Sequence, residues 1–372
     1  MTKPQKPLPP LDYIPADITC AADYETLAQA FIRADILTYI AGGSGHDITL
    51  RSNAAAFQHW SIIPRLLRNL DAANTRTQLL GKTFQHPILF APVAYQTLVH
   101  PQGEMATAYA AEATDSAMLA STLSSVTLEQ IATRSHLDRW FQLYFQPNPD
   151  DTDALIKRAI AAGYQAIVVT MDAAVQAPSI RAIRAGFQRP DSIMAANLVQ
   201  QQPQPTAQQA SEQNDIFRRY QQHAPSLAAL KKLIDESSLP VIIKGVLHPD
   251  DARQLKTLGA AAIIVSNHGG RTLDGAPASL AMLPSIRAAV GDDFPLLLDS
   301  GIRSGSDIFK AIALGADAVL IGRLQLYSLS VAGALGVAHM MKLLREELTL
   351  CMAMSGCATV ADIKATVLHK TN

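Results

Sequence analysis

Cysteine, charge of one sign and long apolar runs are all scarce in this sequence of 372 residues. The 31 basic and 32 acidic residues leave a formal net charge of −1, so we expect no nucleic-acid partner and no membrane partner. The three cysteines, Cys20, Cys351 and Cys357, lack metal-ligand spacing, which predicts no metal site and suits a reducing cytoplasm. The proline-rich N-terminus predicts no signal peptide, and we find no run of about 18 apolar residues that would predict a membrane span. These absences favour a soluble, cytoplasmic protein.

From residue 88 onward the chain alternates short apolar runs with helical patterns, and its hydrophobic content of 48% is enough for a large core. Eight runs are predicted to be buried strands: Ile88–Val93, Ala117–Leu123, Trp140–Phe145, Ala166–Met171, Val241–Lys244, Ala261–Val265, Leu296–Leu298 and Ala318–Ile321. A helical pattern follows each run, which predicts a (β/α)₈ TIM barrel over residues 88–372. A doubly wound sheet is the alternative, but it would not place polar residues at so many strand ends.

Residues 1–87 are predicted to be an N-terminal helical extension that packs on the barrel. A helix is expected over Tyr24–Ala41, and the glycine run that follows it ends the helix. That run has no preceding strand and no Lys-Ser/Thr, so it does not read as a phosphate loop. A glutamine-rich segment, residues 188–225, follows the fourth strand. It is interpreted as a mobile lid over the barrel mouth, and a solvated linker is almost equally favoured.

The most informative motif is Ser-Asn-His-Gly-Gly-Arg at Ser266–Arg271, directly after the sixth predicted strand. The C-terminal ends of barrel strands carry the chemistry in this kind of fold. A histidine there can accept a proton near neutral pH, and an arginine offers a fork of donors for a carboxylate. A lone histidine is more often structural, but the spacing and the strand-end position favour a catalytic His268 and a carboxylate-binding Arg271.

Polar residues also follow the other strands. They include Ser121, Gln142, Tyr144, Thr170, Asp172, Lys244, Asp299, Ser300, Gly301, Arg303, Gly322 and Arg323. In barrels, the loops after the last two strands often bind phosphate. Arginines in these loops supply cations, and the glycines beside them allow backbone N–H groups to approach the anion closely. A heterocycle extending from that phosphate would meet the polar groups of the middle strands, where Lys244 could stabilise charge on a reduced flavin.

These residues give the chain a clear resemblance to the FMN-dependent α-hydroxy-acid oxidase and dehydrogenase family, which includes glycolate oxidase, lactate oxidase and mandelate dehydrogenase. The resemblance runs from about residue 24 to Cys357. It rests on Tyr39–Gly43, Ala91–Ala94, His100–Glu104, Trp140–Tyr144, Ser266–Asp274 and Asp299–Lys310. Within the family, the segments Ala-Gly-Gly-Ser-Gly, Ala-Pro-Val-Ala-Tyr-Gln and Thr-Leu-Ser-Ser-Val are most similar to hydroxymandelate oxidase.

The resemblance implies roles for individual residues. His268 would be the catalytic base held by Asp172, Arg271 and Tyr39 would bind the substrate carboxylate, and Tyr144 would lie near the substrate hydroxyl. FMN would be held by Pro92, Val93, Ala94, Ser121, Gln142, Thr170, Lys244, Ser266, Asp299, Ser300, Gly301, Arg303, Gly322 and Arg323. The implied reaction oxidises an (S)-2-hydroxy acid to the 2-oxo acid in a homotetramer. A polar insert after the fourth strand, together with Ala94 beside the flavin, favours molecular oxygen as the electron acceptor, with hydrogen peroxide as product.

One position departs from the family pattern. An arginine usually stands seven residues after the strand-four aspartate, whereas this chain has Ser179 there and Arg181 two residues later. The lost cation predicts a preference for aryl or bulky acids over glycolate, unless Arg181 turns into the site. The same departure is compatible with an alternative function. In that alternative, the chain is a related FMN-binding barrel that acts on a non-standard substrate as a dehydrogenase or an isomerase. A flavin-binding protein without turnover is the remaining alternative.

Overall fold

The computed structural model describes residues 6–134, 138–198 and 215–371. Its strands are β1 Trp60–Ile62, β2 Thr77–Leu79, β3 Lys82–Phe84, β4 Ile88–Phe90, β5 Met118–Ser121, β6 Arg139–Leu143, β7 Ala166–Thr170, β8 Val241–Val246, β9 Ala262–Val265, β10 Leu296–Leu298, β11 Ala318–Ile321 and β12 Leu368–Lys370. Its helices are α1 Asp23–Leu27, α2 Ala34–Ala41, α3 Ile48–Gln58, α4 Gly103–Ala113, α5 Leu128–Ala132, α6 Pro149–Ala161, α7 Ile180–Arg184, α8 Asp215–His223, α9 Leu227–Glu236, α10 Pro249–Leu258, α11 Ser279–Val290, α12 Gly305–Ala313 and α13 Arg323–Ser355.

Strands β4 to β11 form a closed parallel barrel in sequence order, and β11 closes it by pairing Val319 with Ile88. The predicted (β/α)₈ barrel is therefore confirmed, and each of the eight predicted strands overlaps an observed one. Alternate residues of each strand point inward or outward. The inward residues form one buried cluster, which includes Leu89, Leu119, Trp140, Val168, Ile242, Ile264, Leu297 and Leu320.

The β2–β3 hairpin closes the N-terminal end of the barrel. Its Leu79 and Phe84 are buried within the inward-facing cluster, and the Phe84 ring meets the Trp140 ring edge-on at 6.4 Å between centroids. The outward-facing strand residues pack with the surrounding helices in a second, larger cluster. Because the N-terminal end is filled by apolar side chains, polar chemistry is confined to the C-terminal end.

The helical stretch predicted over Tyr24–Ala41 is observed as two α-helices, because the chain breaks between α1 and α2. A short 3₁₀ turn follows α1, and the amides of Phe31 and Ile32 bond back to the carbonyl of Ala28. Arg33 is extended, with φ −55° and ψ 135°, and its guanidinium holds Asp35 in the first turn of α2. The predicted stop at the glycine run is confirmed, since α2 ends at Ala41.

Helix α13 is long and apolar enough to cross a membrane by length and composition alone, which the sequence expectation did not foresee. In the structure, 78% of its most apolar stretch is buried against the rest of the protein. Ala332 and Gly333 depart from helical geometry and kink it. Its apolar residues therefore pack within the larger core cluster, as in the core helix of a globular fold.

The segment predicted to be a mobile loop, residues 188–225, falls partly outside the described residues, which omit 199–214. On either side of that gap the chain is structured, with a 3₁₀ turn at Ala196–Leu198 and helix α8. Asn197 fixes the first of these elements, because its Oδ1 accepts from the amide of Leu128 at 2.9 Å and its Nδ2 donates to the carbonyl of Ser121 at 3.3 Å.

Candidate active site

A cavity lies at the C-terminal ends of the barrel strands. Most of the residues predicted from the sequence line it: Tyr39, Pro92, Val93, Ala94, Ser121, Gln142, Tyr144, Thr170, Lys244, His268, Arg271, Asp299, Ser300, Gly301, Arg303, Gly322 and Arg323. Two predicted residues, Asp172 and Ser266, lie behind the lining and contact it through His268 and Lys244. Residues that are far apart in sequence therefore meet at one site.

His268 and Asp172 form a hydrogen-bonded pair, with 2.9 Å between Nδ1 of His268 and Oδ1 of Asp172. His268 adopts a left-handed backbone, with φ 59°, and its amide donates to Oγ of Ser266 at 3.0 Å. The space beside Asp172 requires a glycine, since a Cβ on Gly245 would lie 2.5 Å from the Asp172 carboxyl carbon. With Nδ1 bound to the carboxylate, Nε2 is the ring nitrogen that can accept a proton.

The charge on Asp172 is set by two opposing effects. Burial by itself would raise the pKa of Asp172, but the charge of His268, the hydrogen bond to it and the charge of Lys244 together lower it. Asp172 is therefore ionised and can stabilise an imidazolium. Its second oxygen, Oδ2, is buried without a hydrogen-bond partner in the part of the chain that the structure describes.

The C-terminal end of α2 holds Arg271 in the cavity wall. Nη1 of Arg271 donates to the carbonyls of Tyr39 at 2.8 Å and Gly42 at 3.1 Å, and its guanidinium lies 4.6 Å from the centroid of the Tyr39 ring. Backbone carbonyls at a helix C-terminus carry partial negative charge, which favours a cation there. Main-chain carbonyls thus anchor Arg271 in the cavity wall, and a guanidinium held there can bind a carboxylate.

Arg323 is also anchored on main-chain carbonyls, and it shares that of Gly42 with Arg271. Its Nε donates to Ile40 at 2.8 Å, its Nη2 donates to Gly42 at 2.8 Å, and its Nη1 donates to Gly269 at 2.9 Å. Burial, followed by the nearby charge of Arg271, lowers the pKa of Arg323 to about 9. A buried cation of this kind favours an anion close by, as predicted for the phosphate end of the site.

The middle strands carry polar groups that suit a heterocycle. Nζ of Lys244 lies 2.8 Å from Oδ2 of Asp299 and donates to Oγ of Ser266 at 2.6 Å, and both charged side chains are at most 10% exposed. Oε1 of Gln142 accepts from Oγ of Ser121 at 3.1 Å, whereas its buried Nε2 has no partner among the described residues. An unpaired buried amide beside a buried lysine fits a bound ring that supplies acceptors, as FMN does.

The loop after β10 approaches α3 closely. Gly301 has φ 91°, and a Cβ there would lie 2.5 Å from the carbonyl oxygen of Asn53. Ser300 also has a positive φ of 81°. Its hydroxyl bridges Asp299 Oδ1 at 2.8 Å and the amide of Gly269 at 3.0 Å, which compensates for the strained backbone. Arg303 pairs with Glu25 of α1, with 2.8 Å between Nε and Oε2.

The residues that line the cavity without a predicted role include Tyr95, Leu98, Leu123 and Gln176. Tyr95 and Leu123 lie directly after or at the end of a predicted strand, which was the available signal. An apolar or aromatic residue at a strand end is indistinguishable in sequence from a core residue.

Burial, and then the charge of Asp172, raises the pKa of Tyr144 well above its usual value, so its hydroxyl keeps its proton and can donate to a ligand.

Ser179 and Arg181 do not take part in the cavity lining. The Ser179 hydroxyl accepts from the amide of Ala182 and caps α7, and Ser179 pairs with Gly45 in an isolated bridge. Nη1 of Arg181 lies 3.1 Å from Oδ2 of Asp47, and the Arg181 side chain is 48% exposed. The alternative in which Arg181 replaces the missing cation is therefore not the arrangement in this structure.

We expect Arg181→Ala to change the KM for a 2-hydroxy acid by less than about fivefold, because an ion pair with one exposed partner contributes about 1 kcal/mol or less. Steady-state kinetics on the purified variant would measure this. A loss of substrate affinity as large as that caused by removing Arg271 would mean that Arg181 turns inward when substrate binds.

Comparison with known proteins identifies the family of this chain. A family model described as FMN-dependent dehydrogenase matches residues 28–370. The L-lactate oxidase of Alicycliphilus denitrificans is 56% identical over 355 residues, covering 95% of this chain and 97% of the relative. The 4-hydroxymandelate oxidase of Amycolatopsis orientalis is 40% identical over 341 residues, covering 91% and 95%.

A solved structure of mandelate oxidase with benzoyl-formic acid superposes with a TM-score of 0.84 at 38% identity, covering 94% of this chain and 97% of that one. The predicted resemblance to this family is confirmed, and over the whole chain the lactate oxidase above shares more residues with this protein than the 4-hydroxymandelate oxidase does.

Proposed function

Because the chain belongs to the FMN-dependent dehydrogenase family, we propose that it oxidises (S)-2-hydroxy acids with apolar side chains, L-lactate first, to the 2-oxo acids. We further propose that molecular oxygen is the electron acceptor and hydrogen peroxide the second product. The observation that carries the proposal is the convergence of the His268–Asp172 pair and Arg271 on one cavity. The pair supplies a base, and the arginine supplies a carboxylate site.

The substrate carboxylate is bound by Arg271 with help from Tyr39. The guanidinium already lies against the Tyr39 ring and backbone, so its free N–H groups are pre-oriented for two carboxylate oxygens. The protonated hydroxyl of Tyr144 interacts electrostatically with the charges of Asp172 and Arg271. It can donate a hydrogen bond to the 2-hydroxyl group and orient it.

His268 accepts a proton from the bound acid at Nε2. Asp172 stabilises the imidazolium that results, because its carboxylate is ionised and bonded to Nδ1. A bound FMN would supply the acceptor for the two electrons of the substrate and would be reoxidised by oxygen.

The residues that would hold FMN surround the cavity from both sides. Gln142, Thr170 and Lys244 would meet the ring system, and Lys244 would stabilise negative charge on it. Arg303 and Arg323 would meet the phosphate. The unpaired Nε2 of Gln142 would gain an acceptor on binding, as a buried amide requires.

The apolar part of the cavity wall supports the choice of substrate. Tyr95, Leu98 and Leu123 line it, and an apolar substituent on the acid would be buried against such side chains. One buried CH₂ is worth about 0.8 kcal/mol, which corresponds to about fourfold in affinity. Lactate is therefore favoured over glycolate, and a relative 56% identical to this chain is named a lactate oxidase.

Aryl acids are the second candidate substrates. Mandelate oxidase structures superpose on this chain, and an aromatic and two leucine side chains line the cavity. The serine at position 179 does not support this candidate, because Ser179 caps α7 and is absent from the lining among the described residues. The aryl preference therefore depends on the leucine and tyrosine wall.

A substrate panel tests the proposal. We expect kcat/KM for L-lactate to exceed that for glycolate by about fourfold or more, from the buried methyl group. D-lactate should not be oxidised, and one molecule of hydrogen peroxide should form per molecule of 2-oxo acid. The kcat/KM for (S)-mandelate shows whether aryl acids are also substrates. Turnover that requires a quinone and not oxygen would contradict the oxidase proposal. Absence of turnover with every acid in the panel would favour a non-standard substrate or a flavin-binding role.

A further inference from the structure

The ring of Tyr39 is enclosed on both faces. Phe187 stacks on it with 4.2 Å between ring centroids and an angle of 10° between planes. The guanidinium carbon of Arg271 lies 4.6 Å from the same centroid. Because a stacked ring covers one whole face, Arg271 must occupy the other. The three side chains form an ordered stack, Phe187 on Tyr39 on Arg271.

The position of Arg271 depends on Tyr39 in two ways. Its Nη1 donates to the Tyr39 carbonyl at 2.8 Å, and its guanidinium lies on the Tyr39 ring. The backbone contact is fixed by the end of α2, but the ring can rotate about its side-chain bonds. A ring that turned away would remove the cation–π contact and free the guanidinium to other orientations. Whatever holds the ring therefore also holds the arginine.

Phe187 is well placed to hold that ring, because the end of α7 fixes its backbone. Gly186 has a left-handed backbone, with φ 66°, and its amide bonds to the carbonyl of Ile183. The amide of Phe187 bonds to the carbonyl of Ala182 at 3.0 Å. This pairing at a left-handed glycine is the usual way in which a helix ends, and it sets the direction of the chain beyond it.

A second contact of the same kind lies two residues further on. The guanidinium of Arg189 lies 4.6 Å from the centroid of the Tyr95 ring, and Tyr95 also lines the cavity. Phe187 and Arg189 therefore each contact an aromatic side chain that lines the cavity, Tyr39 and Tyr95 respectively.

We propose that Phe187 is a positioning residue that sets the affinity of the site for the substrate carboxylate by holding Tyr39 against Arg271. This proposal rests on the proposed function, which assigns the carboxylate to Arg271. Phe187 itself need not touch substrate, and it is absent from the cavity lining among the described residues. Replacing Phe187 should alter only the binding of the substrate carboxylate. The loss of affinity should therefore be equal for acids with different side chains.

The test uses the FMN-loaded enzyme and three substitutions of Phe187. Phe187→Leu keeps an apolar side chain without a ring, Phe187→Tyr keeps the ring, and Phe187→Ala removes both. Ile183→Ala is the matched control, because Ile183 lies on the adjoining helix and is 64% exposed. Pyruvate binding, followed by perturbation of the flavin absorbance, reports affinity for a carboxylate without turnover. Anaerobic flavin reduction by L-lactate gives an affinity and a limiting rate separately.

We expect Phe187→Leu and Phe187→Ala to weaken pyruvate and L-lactate binding by the same factor, about two- to tenfold, the range of an aromatic pair. The limiting reduction rate should change by less than about twofold, since the His268–Asp172 pair is untouched. Phe187→Tyr should restore affinity, and Ile183→Ala should match the wild type.

Unchanged pyruvate affinity in Phe187→Leu would overturn the proposal, as would an equal loss in Ile183→Ala or a loss confined to the limiting rate. If Phe187→Ala does not fold, the comparison of Phe187→Leu with Phe187→Tyr still decides. Failure of the proposed function would look different. The wild-type flavin would then resist reduction by every 2-hydroxy acid, whatever the pyruvate affinities of the variants.

Discussion

Replacing His268 by glutamine is expected to lower the limiting rate of flavin reduction by about 10²- to 10⁴-fold while FMN stays bound, because general-base catalysis contributes that much. Glutamine can keep a hydrogen bond to Asp172 but cannot accept the proton. In this structure His268 is bonded to Asp172 through Nδ1 at 2.9 Å, so its other nitrogen is the acceptor. Anaerobic stopped-flow reduction with L-lactate would measure the rate.

His248→Gln is the matched control for this experiment. His248 is exposed, and its Nδ1 caps α10 by accepting from the amide of Asp250, away from the cavity lining. The control should reduce at the wild-type rate. Wild-type kinetics in His268→Gln would show that His268 is a structural strand-end residue.

The second large effect is expected at Arg271. Arg271→Met keeps the length of the side chain and removes its charge, and truncating one partner of a buried charge pair costs about 2–5 kcal/mol. The affinity for L-lactate should therefore fall by about 30-fold to several thousandfold. The dissociation constant from anaerobic reduction would measure this, and a large excess of substrate should recover part of the rate.

Arg181→Ala serves as the comparison for Arg271→Met. Arg181 is half exposed and paired with Asp47, whereas Arg271 lines the cavity. We expect a small effect in the first variant and a large one in the second. Similar losses in both variants would show that two arginines bind the carboxylate, contrary to the arrangement described above.

The barrel and most of its lining could be predicted because strand periodicity and strand-end polarity are local signals. Ser266–Arg271 follows β9 directly, so the sequence alone places its side chains at the mouth. The same holds for Lys244, which is still within β8. Signals of this kind can be read from the sequence without knowledge of tertiary contacts.

Other features depend on contacts between distant segments. The ion pair of Arg181 joins residues 134 positions apart, and the carbonyls that hold Arg271 lie 229 to 232 positions away. The break between α1 and α2 likewise has no strong local signal, since neither glycine nor proline interrupts Ala28–Arg33. The cytoplasmic location and the homotetramer stay predictions.

Anaerobic mixing of the wild-type, FMN-loaded enzyme with L-lactate tests directly whether this site oxidises 2-hydroxy acids. We predict that the visible flavin absorbance is lost, that one pyruvate forms per flavin, and that admitting oxygen restores the colour with release of hydrogen peroxide. A flavin that stays oxidised with L-lactate, glycolate and (S)-mandelate alike would contradict the assignment of this site to 2-hydroxy-acid oxidation.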